Sequence, residues 1–188
     1  MTRTCTNHEN TTDTPRIYVA SLADYNSGRL HGRWIDADQP VDTIREQIAE
    51  MLAESKEPIA EEWAIHDYEG FGDLGLSEWE DLDKVAEVAF LIGEHGPVFA
   101  SLLGYLGGTS SIDDARRYME EGYRGEWDSL TDYAQELVED CYSDVLKGLP
   151  DFIKYHIDYE GIARDMELSG DVITFEHRGK VHVFDAHI

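Results

Sequence analysis

Short apolar runs bounded by turn residues open the chain. Longer stretches follow in which apolar residues recur every three to four positions. Residues 16–21 (RIYVAS), 30–36 (LHGRWID) and 62–67 (EWAIHD) read as strands. A turn over residues 23–28 joins the first two, since Asn26 and Gly28 tolerate positive φ. Asp42 is placed to cap a helix reaching about residue 54, with Ile44, Ile48, Met51 and Leu52 on one side. The result is a small β-β-α-β unit over residues 16–75, preceded by a mobile polar leader at residues 1–15.

Gly70, Gly72 and Gly75 break the pattern. Ser77-Glu78-Trp79-Glu80 has the form of a capping box, which predicts a helix to about Ile92 burying Trp79, Leu82, Val85, Ala86, Ala89 and Ile92. A second helix follows Pro97 and ends at Gly107-Gly108. Residues 76–109 thus form a helical subdomain too short to stand alone. In residues 110–188 a short helix capped by Ser110 or Ser111 runs to about residue 120, and residues 122–127 are extended. Ser129 then starts a helix to about Val145 with Leu130, Tyr133, Ala134, Leu137, Val138, Cys141 and Val145 on its apolar stripe. One or two short helices over 151–168 and a hairpin turning at Arg178-Gly179 complete an α+β chain.

Charge changes this picture most. The chain has 40 Asp plus Glu against 15 Lys plus Arg, a net charge of −25 in 188 residues. Residues 61–112 hold 11 acids and 1 base, and residues 113–188 hold 19 acids and 8 bases, so the later two-thirds carry most of the excess. Such self-repulsion opposes a compact fold. With 41% hydrophobic and 11% aromatic residues, the chain is nevertheless a folding sequence and not an acidic tail. The charge disfavours direct binding to nucleic acid or to an anionic membrane. There is no run of about 18 apolar residues for a span, and residues 1–15 have no apolar core of a secretory signal. Cys5 and Cys141 are too far apart for a zinc or redox motif and read as thiols in a reducing cytosol.

In the helix after Ser129 the charge acquires geometry. Asp132, Glu136, Asp140 and Asp144 recur every four residues, Glu139 lies beside them and Asp128 precedes the cap, with no Lys or Arg between 128 and 144. Residues at i and i+4 share a face about 6 Å apart. Three like-charge pairs would cost roughly 1 kcal/mol, which an ordinary solvated helix avoids by interleaving lysines. Glu78, Glu80, Asp81, Asp83 and Glu87 repeat the theme, relieved only by Lys84. A rigid row of carboxylates resembles a row of phosphates. Duplex DNA carries one charge per ~1.7 Å, so the net charge corresponds to roughly 43 Å of duplex, and all the acids to about 68 Å. A compact ball of this length has a radius of gyration near ~16 Å, so DNA-like spacing favours an elongated body. Such a body could occupy the basic channel of a DNA-binding enzyme and gain from counterion release.

Composition leaves two other readings open: a halophile-type acidic surface without a partner, which the presence of only 5 lysines suits, and an interaction module for other basic proteins. Catalytic signatures are weak. There is no phosphate loop, zinc-protease helix or EF-hand loop; pairs such as Glu61-Glu62 or Asp113-Asp114 have the form of the carboxylates of a carbohydrate hydrolase, a rival reading, but chance pairs are expected among so many acids. No catalytic residue, cofactor or metal is expected. Strand alternation separates His177, His182 and His187 by face, so they read as surface or edge residues. Tyr123, Trp127 and Tyr133 read as packing aromatics.

Three stretches resemble the ArdA antirestriction family: Tyr18-Val19-Ala20-Ser21-Leu22 with Tyr25-Asn26-Ser27-Gly28-Arg29-Leu30-His31-Gly32-Arg33-Trp34; Ala64-Ile65-His66-Asp67-Tyr68-Glu69; and residues 157–170 (IDYEGIARDMELSG). Together they span about residues 16–175, and the YNxGxLxGxW and DYExxxRDxxxSG patterns are specific. The resemblance implies a non-enzymatic DNA mimic that inhibits type I restriction-modification enzymes. It implies three small subdomains in a curved, elongated protomer, a homodimer extending the acidic surface, and carriage on mobile genetic elements with action in the bacterial cytoplasm. The leader at residues 1–15 departs from the shorter family pattern. The expected contact surface is Glu78, Glu80, Asp81, Asp83, Glu87, Asp128, Asp132, Glu136, Glu139, Asp140 and Asp144.

Overall fold

A computed structural model of the chain describes residues 14–188. It divides after Ser110 into two compact units, each holding a three-stranded antiparallel sheet. The expected leader lies outside the described residues except for positions 14 and 15, and so does Cys5. The Pro15 carbonyl accepts a bond from the Ala37 N–H at 2.7 Å.

In the first unit β1 (Arg16–Ser21) is the central strand, between β2 (Gly32–Asp36) and β3 (Trp63–Glu69). Ile17 and Val19 are fully buried on one face of the sheet, two residues apart as strand alternation places them, and Ala20 is fully buried on the other. The expected turn after β1 is instead a short helix, α1 (Leu22–Asn26). Ser21 caps it, accepting from the Asp24 N–H at 3.3 Å and donating its hydroxyl to the Asp24 carboxylate at 2.8 Å. Asp24 is buried, and its carboxylate also accepts from the Ser55 hydroxyl and, at 3.4 Å, from Arg29. These bonds fold the turn into a helix. Gly28, at φ 78°, then releases the chain toward β2.

Helix α2 (Val41–Ala53) buries Ile44, Ile48 and Met51 as its periodicity predicts. Its N-cap is Pro40, not Asp42: proline has the extended φ of a cap and no N–H to leave unpaired. Asp42 sits in the first turn, where a carboxylate favours the helix dipole and pairs with Arg45 at 3.2 Å.

The Ser77–Glu80 box closes a turn but does not open a helix. The Ser77 N–H donates to the Glu80 carboxylate at 3.2 Å, as the box predicts, while the Ser77 hydroxyl accepts from the Trp79 N–H at 3.2 Å. Asp81, adjacent to the first buried residue Leu82, caps α3 (Leu82–His95) through the Asp83 N–H at 3.0 Å. Trp79 therefore lies outside the helix and is 66% exposed, against the expectation of burial. Leu82, Val85, Ala89 and Ile92 are buried as expected, and Ala86 is half-buried. Helix α4 (Pro97–Leu106) starts on proline and ends at Gly107, in the left-handed region at φ 112°. By their contacts α3 and α4, the expected middle subdomain, belong to this first unit.

A 3₁₀ turn (Gly108–Ser111) crosses the boundary, and the second unit continues with α5 (Ile112–Arg117) and one π-helical turn (Tyr118–Gly122), where a single short helix is expected. Strand β4 (Tyr123–Trp127) follows, then α6 (Leu130–Cys141), α7 (Ser143–Gly148), α8 (Asp151–Lys154), α9 (Tyr159–Ser169), β5 (Val172–His177) and β6 (Lys180–Asp185), in sheet order β4-β6-β5. Arg178 and Gly179, at φ 51° and 75°, form the two-residue loop whose left-handed residues match the twist of the hairpin. Tyr133, Val172 and Val183 form the core with Trp127, Leu130, Leu137, Met166 and Val181. The Trp127 and Tyr133 rings meet at 5.5 Å, and Tyr123 and Phe184 at 5.0 Å, so these aromatics pack as read.

The stripe expected to run to Val145 stops early. Leu137 and Val138 are half-buried, but past them the stripe loses its covering: Cys141 is exposed, and Val145 is 62% exposed. The helix breaks at Tyr142, with φ −116° and ψ 21°, and α7 starts anew.

Candidate functional site

Ser129 fixes where the acidic helix begins. In extended backbone, its hydroxyl accepts from the Asp132 N–H at 3.2 Å and donates to the Asp132 carboxylate at 2.6 Å. From that cap, Tyr133 and Ala134 turn into the core, and Asp132, Glu136, Glu139 and Asp140 turn to solvent. Three carboxylates, Asp132, Glu136 and Asp140, thus share one face of α6 over about 12 Å. The Glu139 carboxylate beside them accepts from the Gln135 amide at 2.8 Å. The break at Tyr142 puts Asp144 on α7, so the expected row of four is a row of three. The like-charge cost falls to two pairs, roughly 0.5–1 kcal/mol.

Asp128, Asp83 and Asp144 each carry a counter-charge. Asp128 accepts from the Lys180 ammonium at 2.6 Å, which holds its pKa below and that of Lys180 above the ordinary value. Asp83 accepts from Arg45 at 2.6 Å, and Asp144 from Lys147 at 3.1 Å. Each pair is exposed, where such contacts add little to stability. In the first unit, Glu78 and Asp81 are exposed, Asp81 as the α3 cap. Glu80 is half-buried, held by the Thr109 hydroxyl at 2.7 Å, and Glu87 is half-buried further along α3. Six expected residues therefore face water without a base at ion-pair distance among the described residues: Glu78, Asp81, Asp132, Glu136, Glu139 and Asp140. Asp165 and Glu167, missed in the sequence, are also exposed on α9, which packs along α6. Their signal was weak, because Arg164 stands between them and Glu160.

The recognisable sequence patterns have a different task. Gly32 lies so close to β1 that an added Cβ would sit 2.5 Å from the Val19 carbonyl oxygen and 2.8 Å from the Tyr18 ring. Trp34 packs against Tyr18 at 5.5 Å, and Arg33 bonds Glu50 and Glu54 on α2 at 3.1 Å each. His31 bonds the Met51 carbonyl at 2.7 Å. In the second pattern Asp158 caps α9 through the Gly161 N–H at 2.8 Å, and Gly170 ends the helix at φ 74°. The motifs build the scaffold, and the carboxylates occupy its outer surface.

Among the described residues no group of three or more acidic, histidine or cysteine side chains is arranged to hold a metal. His177 and His182 do share a sheet face, with rings 6.3 Å apart, because alternation restarts on each strand of a hairpin. His182 bonds the Tyr123 hydroxyl through Nδ1 at 2.8 Å, with Glu126 3.7 Å from Nε2. Burial pushes its pKa below the ordinary 6.5, outweighing Glu126. Below pH 6.5 the unfolded chain therefore takes up a proton that the folded unit resists. Stability from this residue is complete above that pH and declines as pH falls through it. We expect the unfolding midpoint of the second unit to drop between pH 7 and 5, and to do so less in His182→Gln. Equal pH profiles by circular dichroism would contradict this assignment. The carboxylates of Asp128, Asp171 and Asp185, each lowered by hydrogen bonds, add a further loss only below about 3.8.

A family model described as antirestriction protein (ArdA) matches residues 17–179. No curated protein matches the chain.

Proposed function

The chain belongs to the ArdA antirestriction family, and from that premise we propose that it is a DNA mimic that occupies the DNA-binding channel of a type I restriction-modification enzyme and excludes duplex DNA. The observation that supports this most is the exposed Asp132–Glu136–Asp140 row, with no base between positions 128 and 144. Fixed on one helix, these carboxylates meet a basic channel without first paying to order flexible side-chain-bearing loops, and they release counterions from it as phosphates do. Asp128, Glu139 and Asp144 extend this proposed surface on the second unit, and the acids from Glu78 to Glu87 form a proposed acidic surface on the first. Asp83, Asp128 and Asp144 must there exchange an internal base for one of the partner.

In this reading the protein acts in the bacterial cytoplasm without catalysis, cofactor or direct nucleic-acid binding, as a homodimer whose second copy lengthens the acidic surface. Among the described residues no helix is long and apolar enough to cross a membrane. The test is protection of an unmodified plasmid from a purified type I enzyme. Protection should rise with protein concentration and fade as salt rises, since screening weakens exposed carboxylates. Full cleavage at the lowest salt and a large molar excess of protein would overturn the proposal.

A further inference from the structure

The first unit contains an open cavity of about 540 Å³ walled by Glu61, Glu62 and Trp63 at the start of β3 and by Trp79 and Glu80 from the turn before α3, with Arg45 also lining it. Its walls are fixed from behind. The Ile65 N–H donates to the Glu78 carbonyl at 3.0 Å, tying the turn to the strand. Both oxygens of Glu80 are held, one by the Thr109 hydroxyl at 2.7 Å and one by the Ser77 N–H at 3.2 Å.

Trp79 presents 66% of its surface to water and makes no ring or cation contact among the described residues. Glu61 and Glu62 are exposed and, among the described residues, have no side-chain hydrogen bond or ion pair. Arg45 does not supply the missing cation, because Asp42 at 3.2 Å and Asp83 at 2.6 Å already claim its guanidinium.

Indole faces attract a cation, most strongly a weakly hydrated, delocalised one. Carboxylates beside them can accept its N–H groups in a two-pronged bond. We propose that this cavity takes the guanidinium of an arginine side chain, and that the arginine belongs to the basic channel of the protein partner. The second clause rests on the DNA-mimic reading and the first does not. Scattered carboxylates steer a partner without fixing its register, whereas one aromatic-walled anchor fixes it.

The probe is N-acetylarginine amide titrated into the full chain at constant ionic strength, read from the tryptophan indole N–H resonances. The expected result is a saturable shift of the Trp63 and Trp79 signals, several-fold tighter than for N-acetyllysine amide or spermidine. In Trp79→Ala and in Glu61→Gln/Glu62→Gln the Trp63 shift should vanish. A response no larger than that to sodium chloride, or an unaltered Trp63 shift in both variants, would overturn the pocket. Tighter binding of spermidine would overturn arginine as its occupant in favour of a free polyamine.

For the partner clause, Trp79→Ala should lower DNA-displacing potency about tenfold, the size of one desolvated cation–aromatic contact, at an unchanged unfolding midpoint. Unchanged potency would overturn that clause. Failure of the unaltered protein to displace DNA at all would be a failure of the proposed function, leaving the probe titration to decide the pocket.

Discussion

Converting Asp132, Glu136, Glu139 and Asp140 to their amides should weaken displacement of DNA from the target enzyme by roughly 30- to 1,000-fold. Each exposed charged contact contributes about 0.5–1 kcal/mol, so four contribute about 2–4 kcal/mol. Single changes should cost only two- to fivefold, because the contact is shared. Folding should be almost untouched. Amides keep the shape and the acceptor oxygen that Asp132 offers to the Ser129 hydroxyl. Removing two like-charge pairs stabilises α6 by about the amount lost when Asp132 no longer favours the helix N-terminus, leaving a net change within ~0.5 kcal/mol. Potency and unfolding midpoint measured on the same preparation separate the two effects. Full potency in the fourfold variant would remove α6 from the contact surface.

Gly32→Ala should destabilise the first unit by about 3 kcal/mol or more, a large share of a typical 5–15 kcal/mol total. The new methyl group would lie 2.5 Å from the Val19 carbonyl oxygen, which is backbone in the central strand and cannot swing away. It would also press at 2.8 Å on the Tyr18 ring, itself held against Trp34 at 5.5 Å. The register that sets Gly32 opposite Ala20 would have to open. Gly28→Ala is the contrasting case. No atom lies within 4 Å of its added Cβ, so only its left-handed φ of 78° is penalised, at about 1 kcal/mol. Urea denaturation of both variants tests the ranking, and a Gly32→Ala protein as stable as the parent would contradict the packing described.

These two positions show what the sequence makes legible. Strand and helix identities follow from local pattern, so β1, α2, α4 and the Arg178-Gly179 hairpin stand where the pattern puts them. Misreadings occur where distant residues decide, or where neighbouring caps compete for one helix start. The turn after β1 becomes helical because Asp24 is bonded by Ser55, 31 residues away. The start of α3 is a contest between Ser77 and Asp81, and the cap adjacent to the apolar run prevails. The acidic row is readable as far as Asp140, while the break at Tyr142 comes where packing has ended, beyond Val138. Counter-charges were the least legible part of the candidate site. Lys180 reaches Asp128 across 52 residues and Arg45 reaches Asp83 across 38.

The decisive measurement is the fluorescence anisotropy of a labelled duplex held by a type I restriction-modification enzyme, titrated with this protein at a series of salt concentrations. If its carboxylates stand in for phosphates, the duplex will be released completely, and the logarithm of the protein's affinity will fall linearly with the logarithm of salt, as it does for the duplex itself. A duplex that stays bound at the lowest salt, or a release indifferent to salt, would contradict the account.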